Sequence, residues 1–296
     1  MDSRVAALLD TRGLLRVGGP DARDFLQGMI SNDVDKLAPE RALWSAFLTP
    51  QGKFLHEFFL TADPGDDSAI LLDCEADRRA DLKRRLSIYK LRSKVTIDDA
   101  SEDFSVAVLF GGDTLSALSL PAEPGRAAPF GGGLAYVDPR LPDLGARAVL
   151  PRDRAQAALT DAGFAAAEPG DYDTLRIALG VPDGSRDLEV ERSILLENGF
   201  DELHGVDWDK GCFVGQELTA RTKHRALIKK RLLPVEIDGA APEPGTPVMR
   251  DGKDVGTLRS SANGMGLALL RLEALDGELT AGEATLTPRK PDWAKF

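Results

Sequence analysis

Three dipeptides ending in glycine, Asp251-Gly252, Asn263-Gly264 and Asp276-Gly277, divide the last part of the chain into short apolar runs. Asn-Gly and Asp-Gly are favoured in two-residue hairpins because both central positions need positive φ. The runs at 228–237, 248–250, 255–261, 267–273 and 284–286 therefore predict strands with hairpin connections. This pattern reads as a small β-barrel over residues 227–296, set off by a basic stretch and by the proline-containing segment 242–247.

Upstream, strands and helices interleave. Strands are predicted at 14–17, 42–48, 54–61, 69–74, 93–97, 104–110, 134–137 and 147–150. Helices are predicted from Asp21, with Phe25, Leu26, Met29 and Ile30 on one face, and at 77–89, 152–162 and 171–179. Residues 121–133, rich in Pro and Gly, read as a loop, and its three consecutive glycines at 131–133 lack the Gly-Lys-Ser/Thr of a phosphate cradle. Hairpins among these elements predict an α+β class with antiparallel sheet.

The 296 residues suit about two domains, and 43% apolar with 29% charged residues is ordinary for a soluble protein. No apolar run is long enough to span a bilayer, and residues 1–10 have no hydrophobic core region or cleavage site of a secretory signal. Cys74 and Cys212 form no C-x-x-C and no disulfide framework, so a cytoplasmic location is expected. A net charge of −11 argues against direct nucleic-acid binding. One segment departs from that balance: Arg221, Lys223, His224, Arg225, Lys229, Lys230 and Arg231 lie in 218–233 without an acid. It reads either as a solvated face or as a patch for an anionic ligand tail or acidic partner.

The richest chemistry lies in Lys210-Gly-Cys-Phe-Val-Gly-Gln-Glu217, followed by Leu-Thr-Ala-Arg221. Gly211 beside Cys212 permits positive φ or the close approach of another group. Residues 214–223 predict a helix, which places Cys212 near a helix N-terminus, where backbone N–H groups and the dipole favour a thiolate. A buried, inert cysteine is the other reading. A cysteine hydrolase with His224 or His204 as base is disfavoured, since His224, twelve residues on, is poorly placed to reach Cys212. The scattered His and Cys lack zinc-ligand spacing, so no metal site is expected. Cys74, at the end of an apolar strand, reads as core.

This octapeptide resembles the K-G-C-[YF]-x-G-Q-E signature of the YgfZ-type folate-binding proteins, iron–sulfur cluster assembly factors related to aminomethyltransferase, the glycine cleavage T-protein. Weaker similarities in the same order are Gly19-Pro-Asp-Ala-Arg-Asp-Phe-Leu-Gln-Gly28, Leu48-Thr-Pro-Gln-Gly-Lys-Phe-Leu55, Tyr89-Lys-Leu-Arg-Ser-Lys94, the stretch 175–198 and Gly266-Leu-Ala-Leu-Leu-Arg271. The resemblance implies an α+β, three-domain aminomethyltransferase-like arrangement. Two mixed α/β domains (1–100, interleaved with 101–226) would surround a central opening, with a C-terminal barrel at 227–296.

It also implies a tetrahydrofolate-dependent accessory factor for cluster assembly or repair, whose partners are a folate and the iron–sulfur assembly machinery or its clients. Cys212 would be the functional thiol, its charge state assisted by Lys210 and Arg221. Lys210, Gly211, Gln216, Glu217, Arg221, Glu57 and Glu197 would line the folate site. The alternative is a folate-dependent aminomethyl or one-carbon transferase of the T-protein type. Two departures speak against that chemistry. The strand that carries paired acids in aminomethyltransferases has His56-Glu57 here, and Ala178 stands where their helix has a pterin-holding Glu.

Overall fold

The computed structural model describes residues 3–225 and 228–296. They group into two compact units. Of the described residues, the first comprises 3–48, 56–169 and 204–214, and the second 49–55, 170–203, 215–225 and 228–296.

The first unit holds two sheets. One has five strands in the order Leu43–Leu48, Phe54–Asp63, Asp66–Glu75, Arg12–Gly18, Thr96–Asp99. Its first two strands are buried almost throughout, which is why they read in sequence as near-continuous apolar runs rather than as alternation. The other sheet has six strands in the order Ala165–Ala166, Val5–Leu8, Phe104–Phe110, Ala146–Pro151, Gly133–Val137, Ala127–Phe130. Val5–Leu8 is parallel to Ala165–Ala166 and antiparallel to Phe104–Phe110. A strand from the first ten residues thus completes a sheet built mostly from residues beyond 100.

The expected loop at 121–133 contains the strand Ala127–Phe130. It is an edge strand paired only with Gly133–Val137. Pro129, which lacks an N–H, is tolerated there because one side of an edge strand has no ladder to complete.

In the second unit, six strands close into an antiparallel barrel, in the order Lys230–Asp238, Met265–Arg271, Lys253–Ala262, Pro247–Arg250, Leu279–Ala281, Ala284–Pro288. Val235, Val248, Leu258, Leu270, Leu279 and Leu286 fill its interior, and closure leaves no free strand edge. Two of the three signalled turns are hairpins, Arg250↔Lys253 and Ala262↔Met265. Asp251 and Asn263 have φ of 50° and 48°, and the glycines after them 75° and 76°, as a primed turn requires. Asp276-Gly277 instead ends the passage from one side of the barrel to the strand Leu279–Ala281, which was not expected. That strand turns back through Gly282 into Ala284–Pro288. Among the described residues no helix is long and apolar enough to cross a membrane.

Candidate functional site

The boundary between the two units falls inside the octapeptide, after Val214, so each part is built from its own unit. In the first unit, the helix Ala22–Met29 ends in carbonyls with no partner inside the helix. The Lys210 ammonium donates to the carbonyl oxygens of Gln27 at 2.8 Å, Ile30 at 2.7 Å and Asn32 at 2.7 Å. The Val214 N–H reaches the Gly28 carbonyl at 3.1 Å. A cation at a helix C-terminus also complements the helix dipole. Burial lowers the Lys210 ammonium to about 8, while Asp33, Asp207 and Asp35 favour its charge. The clamp is therefore charged at neutral pH.

Between the clamped ends, Gly211 and Cys212 are exposed, and the thiol is free. The expected conformational need for glycine does not fall on Gly211. Its φ is not positive, and a Cβ built on it meets no atom within 4 Å. The left-handed residue of the motif is Gly215, at φ 85°.

Asn32 links this loop to a cavity of about 430 Å³. Besides receiving Lys210, Asn32 donates its side-chain amide to the carbonyls of Trp44 at 2.7 Å and His204 at 2.8 Å. Asn32, Lys36, Arg41, Trp44, His204 and Asp207 are among the residues lining the cavity. Lys36 pairs with Asp207, and that hydrogen bond raises the lysine pKa. His204 sits in the left-handed region, at φ 61°.

Glu57 lies behind the Trp44 wall. Its side chain is buried, one carboxylate oxygen taking Arg12 Nη1 at 2.6 Å and the other the Trp44 indole N–H at 2.5 Å. Arg12 also binds Asp73 at 2.7 Å, and Asp73 binds Arg147 of the other sheet at 2.8 Å. The guanidinium groups of Arg12, Arg140 and Arg147 surround the Phe59 ring at 5.5, 4.9 and 4.0 Å. Glu57 is thus one carboxylate of a buried, charge-paired layer. His56, next to it in the strand, is buried and bonded to Asp81 at 3.1 Å. Burial, then the neighbouring Arg78, lowers its pKa to about 4.

In the second unit, the helix Gln216–His224 is capped by Gly215 rather than by a side chain. It begins later than expected, so Phe213 and Val214 intervene between Cys212 and the cap. Gly52, in the Thr-Pro-Gln-Gly-Lys turn, packs against this helix start, with a built Cβ 3.0 Å from the Gly215 carbonyl and 3.1 Å from Leu218 Cβ. Gln216 is half-buried and Glu217 exposed. Glu217 pairs with Arg221 at 2.7 Å, one turn on. Lys223 pairs with Asp201 at 3.3 Å, and Arg231 with Glu202. The basic stretch is therefore partly neutralised by acids distant in sequence. Glu197 is half-buried, and burial raises its pKa while Lys230 and Lys53 pull it back. Among the described residues no group of three His, Cys, Asp or Glu side chains is placed to hold a metal ion.

No local sequence pattern groups Asn32, Lys36, Arg41 and Trp44 into a common wall.

Residues 229–296 match the family model of the CAF17 C-terminal β-barrel domain. The chain is 34% identical to the human (Homo sapiens) mitochondrial iron–sulfur cluster assembly factor IBA57, over 96% of this chain and 84% of that protein. It is 33% identical to the mouse (Mus musculus) protein of that name, with the same coverage. The structure resembles that of glycine cleavage system aminomethyltransferase T from Bartonella henselae. Their TM-score is 0.78, covering 99% of this chain and 87% of that one, at 14% identity. At that identity the likeness speaks for the fold alone. The expected cytoplasmic location is corrected by the relatives, both of which are named as mitochondrial proteins. Unpaired cysteines report a reducing environment, and they do not distinguish one reducing compartment from another.

Proposed function

Because the chain belongs to the family of YgfZ- and IBA57-type iron–sulfur cluster assembly factors, we propose that it is a tetrahydrofolate-dependent accessory factor for cluster assembly or repair, with Cys212 as its functional thiol. The observation that carries this reading is the exposed Cys212 on a loop whose flanks are fixed by Lys210 and Val214. A cluster in transit is cargo. On binding an iron atom of that cargo, Sγ gives up its proton to solvent and donates a lone pair to the metal. Gly211, with open space where a side chain would stand, leaves room for the cargo or its carrier to approach.

A folate fits the cavity of the first unit. Its volume of about 430 Å³ lies in the usual range for small-molecule sites. Arg41 offers a cation for the glutamate carboxylates of the ligand and Lys36 a second, shared with Asp207, while the buried Asn32 and Trp44 hold the wall in place. When bound, tetrahydrofolate would supply a reduced pterin able to carry a one-carbon unit. Glu197, Gln216, Glu217 and Arg221, in the second unit, keep the folate-binding roles that the family resemblance implies, and burial raises the Glu197 pKa. The T-protein-type transferase reading needs a free carboxylate in the strand of Glu57. Both oxygens of Glu57 are bonded, so that reading is set aside.

Titration calorimetry with 5-formyltetrahydrofolate tests the folate assignment. Arg41→Ala is expected to weaken binding about tenfold, the loss of roughly 1.4 kcal/mol. Wild-type protein that binds no folate, or an Arg41→Ala variant that binds unchanged, would contradict it. Incubation with an aminomethylated lipoyl carrier and tetrahydrofolate is expected to release no ammonia.

A further inference from the structure

The exposed large apolar side chains among the described residues are Ile88, Tyr89, Leu91, Leu218 and Phe296. Three of them fall within four consecutive positions, at the end of the helix Arg79–Tyr89. Leu91 is 89% exposed and Ile88 60%. Scattered apolar residues on a surface are unremarkable, whereas a cluster signals a contact.

The backbone holds this cluster out. Leu91 lies in the left-handed region at φ 41°, a conformation disfavoured for a residue with a Cβ. Hydrogen bonds brace it on both sides, from Ser93 N to the Lys90 carbonyl at 2.8 Å and from Lys94 N to the Asp21 carboxylate at 2.7 Å. Tyr89 is steadied by an edge contact with Phe47, their ring centroids 5.9 Å apart. Tyr89, Leu91, Arg92, Ser93 and Asp21 line a shallow notch. The side chains of Lys90, Arg92 and Lys94 enter no ion pair among the described residues, while the whole chain carries a net charge of −11.

We propose that residues 87–94 form a docking knob for a partner protein that presents an apolar pocket rimmed by carboxylates. Leu91 and Ile88 would enter the pocket, and Lys90, Arg92 and Lys94 would meet the rim. An anionic membrane fits less well. A plane of negative charge would also face the acidic remainder of the chain, whereas a protein of limited footprint need touch only the knob. Beyond about 8 Å such charges are screened at physiological salt. A braced loop, already in the conformation it presents, also loses less entropy on docking to a shaped surface.

A photoreactive amino acid at position 91 of the full chain, in its host cells, identifies the partner, and the purified partner is then titrated with this protein. The proposal expects an adduct with a protein of acidic surface. Its affinity should fall at least tenfold in Leu91→Ser and at least tenfold in Arg92→Glu/Lys94→Glu, and weaken with added salt. Both variants alter exposed side chains and should melt as wild type does. The proposal is overturned by the absence of a protein adduct, by affinity unchanged in either variant, or by an adduct with a second copy of this chain. Binding to phosphatidylserine vesicles that is lost in the same variants would assign the knob to a membrane and overturn it equally.

Discussion

The Lys210 ammonium and the Asn32 carbonyl oxygen lie 2.7 Å apart, and this bond helps tie the cysteine loop to the wall of the cavity. Asn32 passes the constraint on, through its side-chain amide, to the carbonyls of Trp44 and His204. Lys210 is therefore a positioning residue. Lys210→Met is expected to leave its three acceptor carbonyls without a charged donor and to lower stability by about 3 kcal/mol in urea unfolding. Lys210→Arg is expected to rescue little, since a planar guanidinium does not converge on three acceptors as an ammonium does. Wild-type stability in Lys210→Met would refute the clamp.

The two glycines of the motif should separate in their effects. Gly215→Ala places a Cβ at φ 85° and is expected to cost about 1–2 kcal/mol of stability. Gly211→Ala meets no neighbour and is expected to stay within about 0.5 kcal/mol of wild type, while supporting cluster-dependent enzymes poorly. A destabilised Gly211→Ala, or a fully functional one, would remove the case for open space beside Cys212.

Glu57 is expected to behave as a structural carboxylate. Glu57→Gln leaves Arg12 facing an amide within a buried layer and should cost about 3 kcal/mol. Thermal unfolding of the purified variant measures this, and an unchanged midpoint would contradict the role.

His56 makes stability fall in acid. Burial lowers its folded pKa to about 4, from the 6.5 of a free imidazole. As the pH falls from 6.5 toward 4, the unfolded chain takes up a proton that the folded chain refuses. Stability contributed by the neutral, buried imidazole is present above 6.5 and is lost across that window, by about 3 kcal/mol in total. His56→Gln should flatten this part of the profile in urea titrations at pH 7, 5.5 and 4.5. An equal slope in the variant would mean that other groups carry the acid loss.

Much of the fold was legible because its signals are local. Asp251-Gly252 and Asn263-Gly264 announced their hairpins, and the periodicity around Phe25 and Leu26 announced the first helix. The strand Leu279–Ala281 spans three residues, too few for an alternating pattern to register. The site was less legible because its partners lie far apart in the chain. Lys210 bonds to carbonyls 178 to 183 positions away, and Glu57 bonds to Arg12 at a separation of 45. A motif shows which side chains are present, and only the folded chain shows that Lys210 and Glu57 stand behind Asn32 and Trp44.

The central claim is that the exposed Cys212 thiol serves iron–sulfur cluster assembly. The most direct measurement is the activity of cluster-dependent enzymes in a strain lacking this protein, complemented with wild type or with Cys212→Ala at equal abundance. The account predicts restoration by wild type and failure by Cys212→Ala. Full restoration by Cys212→Ala, or cluster enzymes untouched by the deletion, would contradict it.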